Sequence, residues 1–229
     1  MTDIITILII IALIVFSFLD IYGLYADKEG LCLVSKPFLV PLIIALYILP
    51  SILGRGFLST SRGFITTLVI GLALGWLGDV LLMKQELFIL GLLSFLAGHI
   101  FYIITFAREI WLFGTSWLLL LVIVPYILVI LFVKKKLLPF LPDKKLAPAI
   151  VIYLLVIITM SVCAFLRFST RSFLPAFVTF TGSVLFIVSD MVLAFHTFKK
   201  DRGRGEAAFI MITYIPAQFL IMLGTVLMR

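Results

Sequence analysis

The sequence is short of everything a soluble enzyme uses to face water. Charged residues make up 13% of its 229 positions, against 64% hydrophobic ones. That balance excludes a soluble domain, because too little polar surface remains to cover a core. Cysteine is nearly absent. Cys32 and Cys163 fall in distant segments, which predicts no disulfide, and two thiols are too few for a structural zinc site. Histidine is as scarce: His99 and His196, in different helices, fall short of the three protein ligands of a catalytic zinc unless aspartates join them. That disfavours a metal-dependent lipid amidase. No GxSxG elbow and no phosphate-cradling glycine loop occurs. The period-2 alternation of a membrane barrel is missing too. Of the two backbones that lipid admits, only the helix then fits.

What is present is a series of long apolar runs. They predict an all-α polytopic membrane protein, one integral-membrane domain over residues 1–229, with eight spans near 4–25, 38–54, 64–83, 86–107, 113–133, 147–166, 174–198 and 208–228. The first run lacks a basic leader, carries Asp3 and shows no small-residue cleavage site, so it reads as a retained span rather than a signal peptide. An even number of spans puts both termini on one side. Arg55, Arg62, Arg108, Arg167, Arg171 and Arg229 then share that side, and all ten lysines lie on the other with Arg202 and Arg204. The positive-inside rule makes the lysine side cytoplasmic and places both termini outside the cell (inner) membrane. The net charge of +7 is a consequence of this topology and implies no nucleic-acid partner. The RGRG loop, Arg202–Gly205, can attract acidic membrane lipids.

Few polar residues interrupt the spans, and they are not scattered. In GLALGWLGDVLLM, Gly71, Gly75 and Asp79 stand at i, i+4 and i+8, on one helix face. Glycines at that spacing let another helix approach closely, so Asp79 points at a neighbour rather than at lipid, and they also permit a homodimer. A second intramembrane acid, Asp190, lies in GSVLFIVSDMVLAF. Asp79 is about 6 Å from the lysine side and Asp190 about 12 Å. Asp20, at the end of the first span, and Lys36, at the start of the second, gather on the same side. His99 and Tyr102 share a face with Phe95, and Tyr214 and Gln218 stand at i, i+4 around Pro216. Together these predict one polar cavity opening toward the cytoplasmic side. The echo between LGDVLLM and VSDMVLAF suggests a four-plus-four internal duplication that would bring the two acids together. Buried acids mark enzymes and pumps alike. They can form an acid/base dyad, because two carboxyls in a low-dielectric site divide into one that holds a proton and one that accepts it. They can equally relay protons in a coupled transporter or lipid flippase, or tie helices together. His99, Tyr214 and Gln218 can likewise act in chemistry or simply hydrogen-bond between helices.

Four motifs in order, GWLGDVLLM (Gly75–Met83), GLLSFLAGHIFYIITF (Gly91–Phe106), GSVLFIVSDMVLAF (Gly182–Phe195) and TYIPAQFLIMLG (Thr213–Gly224), resemble the YhhN-like lysoplasmalogenase family of multispan membrane proteins. The Lys36-Pro37 pair is similar as well. His196 departs from the pattern, in which a small amide is expected. The resemblance implies hydrolysis of the vinyl ether bond of lysoplasmalogens, a lysophospholipid substrate, without a metal or organic cofactor. The products are a fatty aldehyde and a glycerophospho-ethanolamine or -choline. It implies Asp79 and Asp190 as the motif acids, with His99, Tyr102, Tyr214 and Gln218 as their polar partners. On charge and position, Lys36, Lys84 and Lys199 are candidate phosphate partners.

Overall fold

The computed structural model describes residues 2–52, 62–108, 116–141, 144–169, 173–198 and 203–227. Eight α-helices follow one another: α1 Thr2–Tyr25, α2 Glu29–Ile52, α3 Arg62–Leu82, α4 Phe88–Ala107, α5 Ser116–Lys136, α6 Ala147–Leu166, α7 Phe173–Phe198 and α8 Arg204–Val226. Short 3-10 turns flank some of them, and no strand occurs among the described residues. In lipid every backbone group must be satisfied within its own segment, which is why these apolar runs are helical throughout. Seven of the helices, all but α5, are long and apolar enough among the described residues to cross a membrane. The protein is thus a polytopic all-α membrane protein. Cys32 and Cys163 are free thiols.

The helix ends differ from the apolar runs in two places with a physical cause. The second run begins at residue 38 by hydropathy, yet α2 starts at Glu29. The chain turns after α1 in a tight motif. Asp27 takes a left-handed φ of 59°, and the Lys28 N–H reaches back to the Gly23 carbonyl at 2.8 Å, the bond pattern that commonly closes a helix. Lys36 therefore sits two turns inside α2 rather than at its start. At the other boundary α5 runs on through Lys134–Lys136, three cations in a last turn where the helix dipole favours positive charge.

Sequential helices pair as antiparallel hairpins, α7 against α8 and α3 against α4 most extensively. The neighbours α1–α2, α2–α3 and α3–α4 recur as α5–α6, α6–α7 and α7–α8, and the crosswise contacts α2–α8 and α4–α6 exchange under the same relation. A four-plus-four duplication would produce that exchange, but α1 also packs on α8 and no comparable α4–α5 contact occurs among the described residues. Lipid-facing flanks are apolar, with Ile7, Ile11 and Phe18 of α1 and Leu128 and Leu131 of α5 exposed. The interior holds the polar residues. One that the sequence assigns to a loop, Arg167, is fully buried instead. Its guanidinium lies over the Phe106 ring at 5.1 Å, and its Nη1 is 3.4 Å from Thr179 Oγ1.

The α7–α8 hairpin is the closest packed. A Cβ added at Gly182 would lie 2.9 Å from both the Ala217 carbonyl oxygen and the Ile221 nitrogen of α8. These are backbone atoms and cannot turn aside. Gly182→Ala is expected to lower stability by about 1–3 kcal/mol, the usual cost of overpacking a fitted interface. Thermal unfolding in detergent measures it, and an unchanged midpoint would show that α8 is free to slide.

Candidate active site

The face of α3 that carries Gly71, Gly75 and Asp79 packs against α4 and α8. A Cβ at Gly71 would strike the Tyr102 ring at 2.6 Å, and one at Gly75 would strike Gln218 Nε2 at 2.6 Å. The missing side chains are therefore what lets Tyr102 and Gln218 pack directly on α3, beside the Tyr214 hydroxyl. A directed hydrogen-bond chain runs along this seam. The Tyr102 hydroxyl donates to Gln218 Oε1 at 2.5 Å, and Gln218 Nε2 donates to the Tyr214 oxygen at 3.0 Å. Because the Tyr214 oxygen already accepts from Gln218, its own proton is left to face Asp79, with which it interacts. On the other side Lys36 Nζ lies 4.0 Å from Asp79 Oδ1. Asp79 Oδ2 is buried with no hydrogen-bond partner among the described residues.

Asp190 is built differently. The Tyr153 hydroxyl of α6 donates to its Oδ2 at 2.5 Å. His99 Nε2 of α4 lies 3.8 Å from the same oxygen, too far for a direct hydrogen bond. Neither ring nitrogen of His99 has a hydrogen-bond partner among the described residues, although the ring is fully buried. No lysine or arginine of the described residues forms an ion pair with Asp190, whereas Asp79 has Lys36. Asp190 keeps 9% of its side chain accessible. It borders a cavity of about 40 Å³ between α5, α6 and α7.

Aromatic rings join the two acids. Phe186, one turn before Asp190, packs edge-on against His99 at 4.6 Å and against Tyr214 at 5.3 Å. Phe95 lies 5.8 Å from Tyr214. The carboxyls of Asp79 and Asp190 are close enough to interact electrostatically. Asp79, Asp190, His99, Tyr102, Tyr214, Gln218 and Lys36 thus line one continuous cluster, with the acids in unequal settings. His196 lies apart, its Nδ1 3.3 Å from Glu206 Oε2. Lys84 follows α3 at an exposed turn, and Lys199 lies outside the described residues.

Two members, Tyr153 and Phe186, are not singled out by the sequence, and a third, Asp20, is singled out there only as the end of the first span. Tyr153 is one hydroxyl in an unbroken apolar run. The signal that could have found it is the rule that a buried tyrosine hydroxyl needs a partner. Asp20 of α1 is fully buried rather than terminal. It accepts from Ser35 Oγ at 3.2 Å and interacts with Lys36, so that one ammonium serves two carboxyls. Phe186 is an apolar residue among others, and only the fold shows that it packs against both His99 and Tyr214. No group of three or more His, Cys, Asp and Glu side chains is arranged to hold a metal among the described residues.

A family model described as the YhhN family matches residues 31–225. No curated protein and no solved structure matches the chain. The chain belongs to the YhhN family.

Proposed function

We propose that this YhhN-family chain hydrolyses the vinyl ether bond of lysoplasmalogens within the membrane, with Asp190 as general acid and Asp79 as general base. The observation that carries this reading is the unequal setting of two interacting carboxyls. Asp79 has an ammonium, Lys36, at 4.0 Å, which favours its ionised form. Each acid has one tyrosine hydroxyl, Tyr153 at Asp190 and Tyr214 at Asp79, so the difference lies elsewhere: Asp190 has no ion pair with a lysine or arginine among the described residues and borders a largely apolar cavity, where a charge is poorly solvated.

A vinyl ether is cleaved by protonation of its β-carbon. Asp190 gives its proton there, and the ether oxygen and adjacent carbon share the resulting oxocarbenium charge. The new carboxylate and the faces of nearby aromatic rings, Phe186 foremost, stabilise that cation. Water adds to the cationic carbon while Asp79 takes one of its protons, which leaves a hemiacetal. In the collapse Asp190 takes back the hemiacetal hydroxyl proton and Asp79 returns its proton to the departing glycerol oxygen. Aldehyde and alcohol leave, and both acids regain their starting states. Tyr153 orients Asp190, and the chain Tyr102–Gln218–Tyr214 orients Asp79. The positive-inside rule supports a cytoplasmic opening for the cavity, since the lysine-rich turns lie at that end.

Purified full-length protein in detergent, with chelator present, is expected to release fatty aldehyde from a lysoplasmalogen. No aldehyde from a folded preparation would overturn the reading and direct attention to proton-coupled transport through the same acids.

A further inference from the structure

We infer that Trp76 of α3 is a positioning residue for Lys36: its indole N–H pins the α2 backbone beside the lysine, so that the ammonium stands at Asp79. This rests on the reading of Asp79 as a base that Lys36 keeps ionised. The indole Nε1 donates to the Pro37 carbonyl oxygen at 2.8 Å. That carbonyl is open to it for a reason written in the sequence. Within a helix it would accept from residue 41, and residue 41 is proline, which has no N–H. Pro37 in turn leaves the Leu33 carbonyl without its helical donor. Lys36 therefore lies in a turn of α2 whose own hydrogen bonds are depleted, although the helix continues through it.

Neighbouring helices supply what that turn lacks. Three successive residues are tied outward. Ser35 Oγ donates to Asp20 Oδ1 of α1 at 3.2 Å, Lys36 Nζ lies 4.0 Å from Asp79 Oδ1 of α3, and the Pro37 carbonyl accepts from Trp76 of α3. Trp76 and Asp79 stand at i, i+3, neighbours on the α3 surface and about 4.5 Å apart along its axis. The bond to Pro37 and the approach of Lys36 to Asp79 are thus two rungs between the same two helices. The first fixes backbone. The second depends on a flexible four-carbon stem, whose reach is set by where that backbone is held. A tryptophan that only anchors a helix at the headgroup level sits near the helix end. Trp76 is six residues before Leu82, where α3 ends, about 9 Å inside, and its N–H is spent on protein. At 36% exposure it is not a core filler either.

The test compares Trp76→Phe, Lys36→Met and Pro41→Ala in the full chain in lipid nanodiscs, alone and in pairs, with one lysoplasmalogen. Trp76→Phe is expected to lower kcat about tenfold, as a slightly displaced group does, with KM within about twofold. On the Lys36→Met background it is expected to cost nothing more. Pro41→Ala restores an N–H inside α2, so the Pro37 carbonyl accepts from its own helix. It is expected to return the melting midpoint of Trp76→Phe to the wild-type value but not the kcat, and it supplies a folded background for the comparison if Trp76→Phe alone unfolds. A bond with a structural role only would behave otherwise, and Pro41→Ala would restore both. That result, a kcat within about twofold of wild type, or an equal loss on the Lys36→Met background would overturn the role. Infrared spectroscopy reads the same displacement without turnover. A protonated-carboxyl band is expected to grow in Trp76→Phe and to lose that increment when Asp79→Asn is added. A band that grows in this way where wild type releases no aldehyde removes the hydrolase reading and leaves the role. Aldehyde release with kcat and band unmoved by Trp76→Phe removes the role and leaves the reading.

Discussion

Asp190→Asn is expected to lower aldehyde release by about 10²–10⁴-fold, the range that a positioned general acid contributes. Asparagine keeps the size of the side chain, and its carbonyl oxygen still accepts from Tyr153, which donates at 2.5 Å in the native protein. The approach to His99 is therefore preserved, and the melting midpoint should hold. What is lost is the acidic proton, and nothing adjacent replaces it at that position: His99 is 3.8 Å away and the Tyr153 proton is already committed. Tyr153→Phe removes one hydrogen bond and leaves the proton, so its loss is smaller, about tenfold at roughly 1.4 kcal/mol. The order of the two effects is as informative as their size. A folded Asp190→Asn protein within twofold of wild type would take Asp190 out of the chemistry. A larger loss in Tyr153→Phe than in Asp190→Asn would mean that Tyr153, not Asp190, delivers the proton.

The contrast between these residues also shows what a sequence can and cannot reveal in a membrane. Asp190 and Asp79 stand out because a carboxyl in an apolar run is costly and so invites explanation. The Gly71–Gly75–Asp79 face is readable because helical periodicity fixes which residues share a side, and the structure packs that face against Tyr102 and Gln218. The helices follow for the same reason: lipid leaves the backbone little choice. Tyr153 is not readable, because its partner is 37 residues away on another helix and its ring is at home in an apolar run. Lys36 shows the opposite failure. A charge at the edge of an apolar run reads as a boundary, yet α2 begins at Glu29. The charge is inside because two carboxyls, Asp20 and Asp79, meet it there. Pairing across helices, the one thing a linear pattern does not record, decides both cases.

Lys36 has two competing roles, and a double-mutant cycle separates them. If it holds Asp79 in its ionised form, Lys36→Met and Asp79→Asn remove the same catalytic base. Each single change is then expected to cost about 10²–10³-fold in kcat, and the double change no more than Asp79→Asn alone, as residues that act as a unit are strongly non-additive. If Lys36 instead binds the substrate phosphate, its removal raises KM, and the two losses multiply. The geometry favours the first role. Lys36 Nζ is 4.0 Å from Asp79 Oδ1, and 22% of the lysine side chain is accessible. Asp20 interacts with the same ammonium, so a phosphate there would have to compete with two carboxyls. Lys36→Arg keeps a cation in place and is expected to retain more activity than Lys36→Met, though not all of it, because a planar guanidinium does not reproduce a compact ammonium. The measurement is kcat and KM for the four members of the cycle with one lysoplasmalogen. Multiplicative losses, or a change confined to KM, would move Lys36 from the base to the headgroup and leave Asp79 to be ionised by Tyr214 alone.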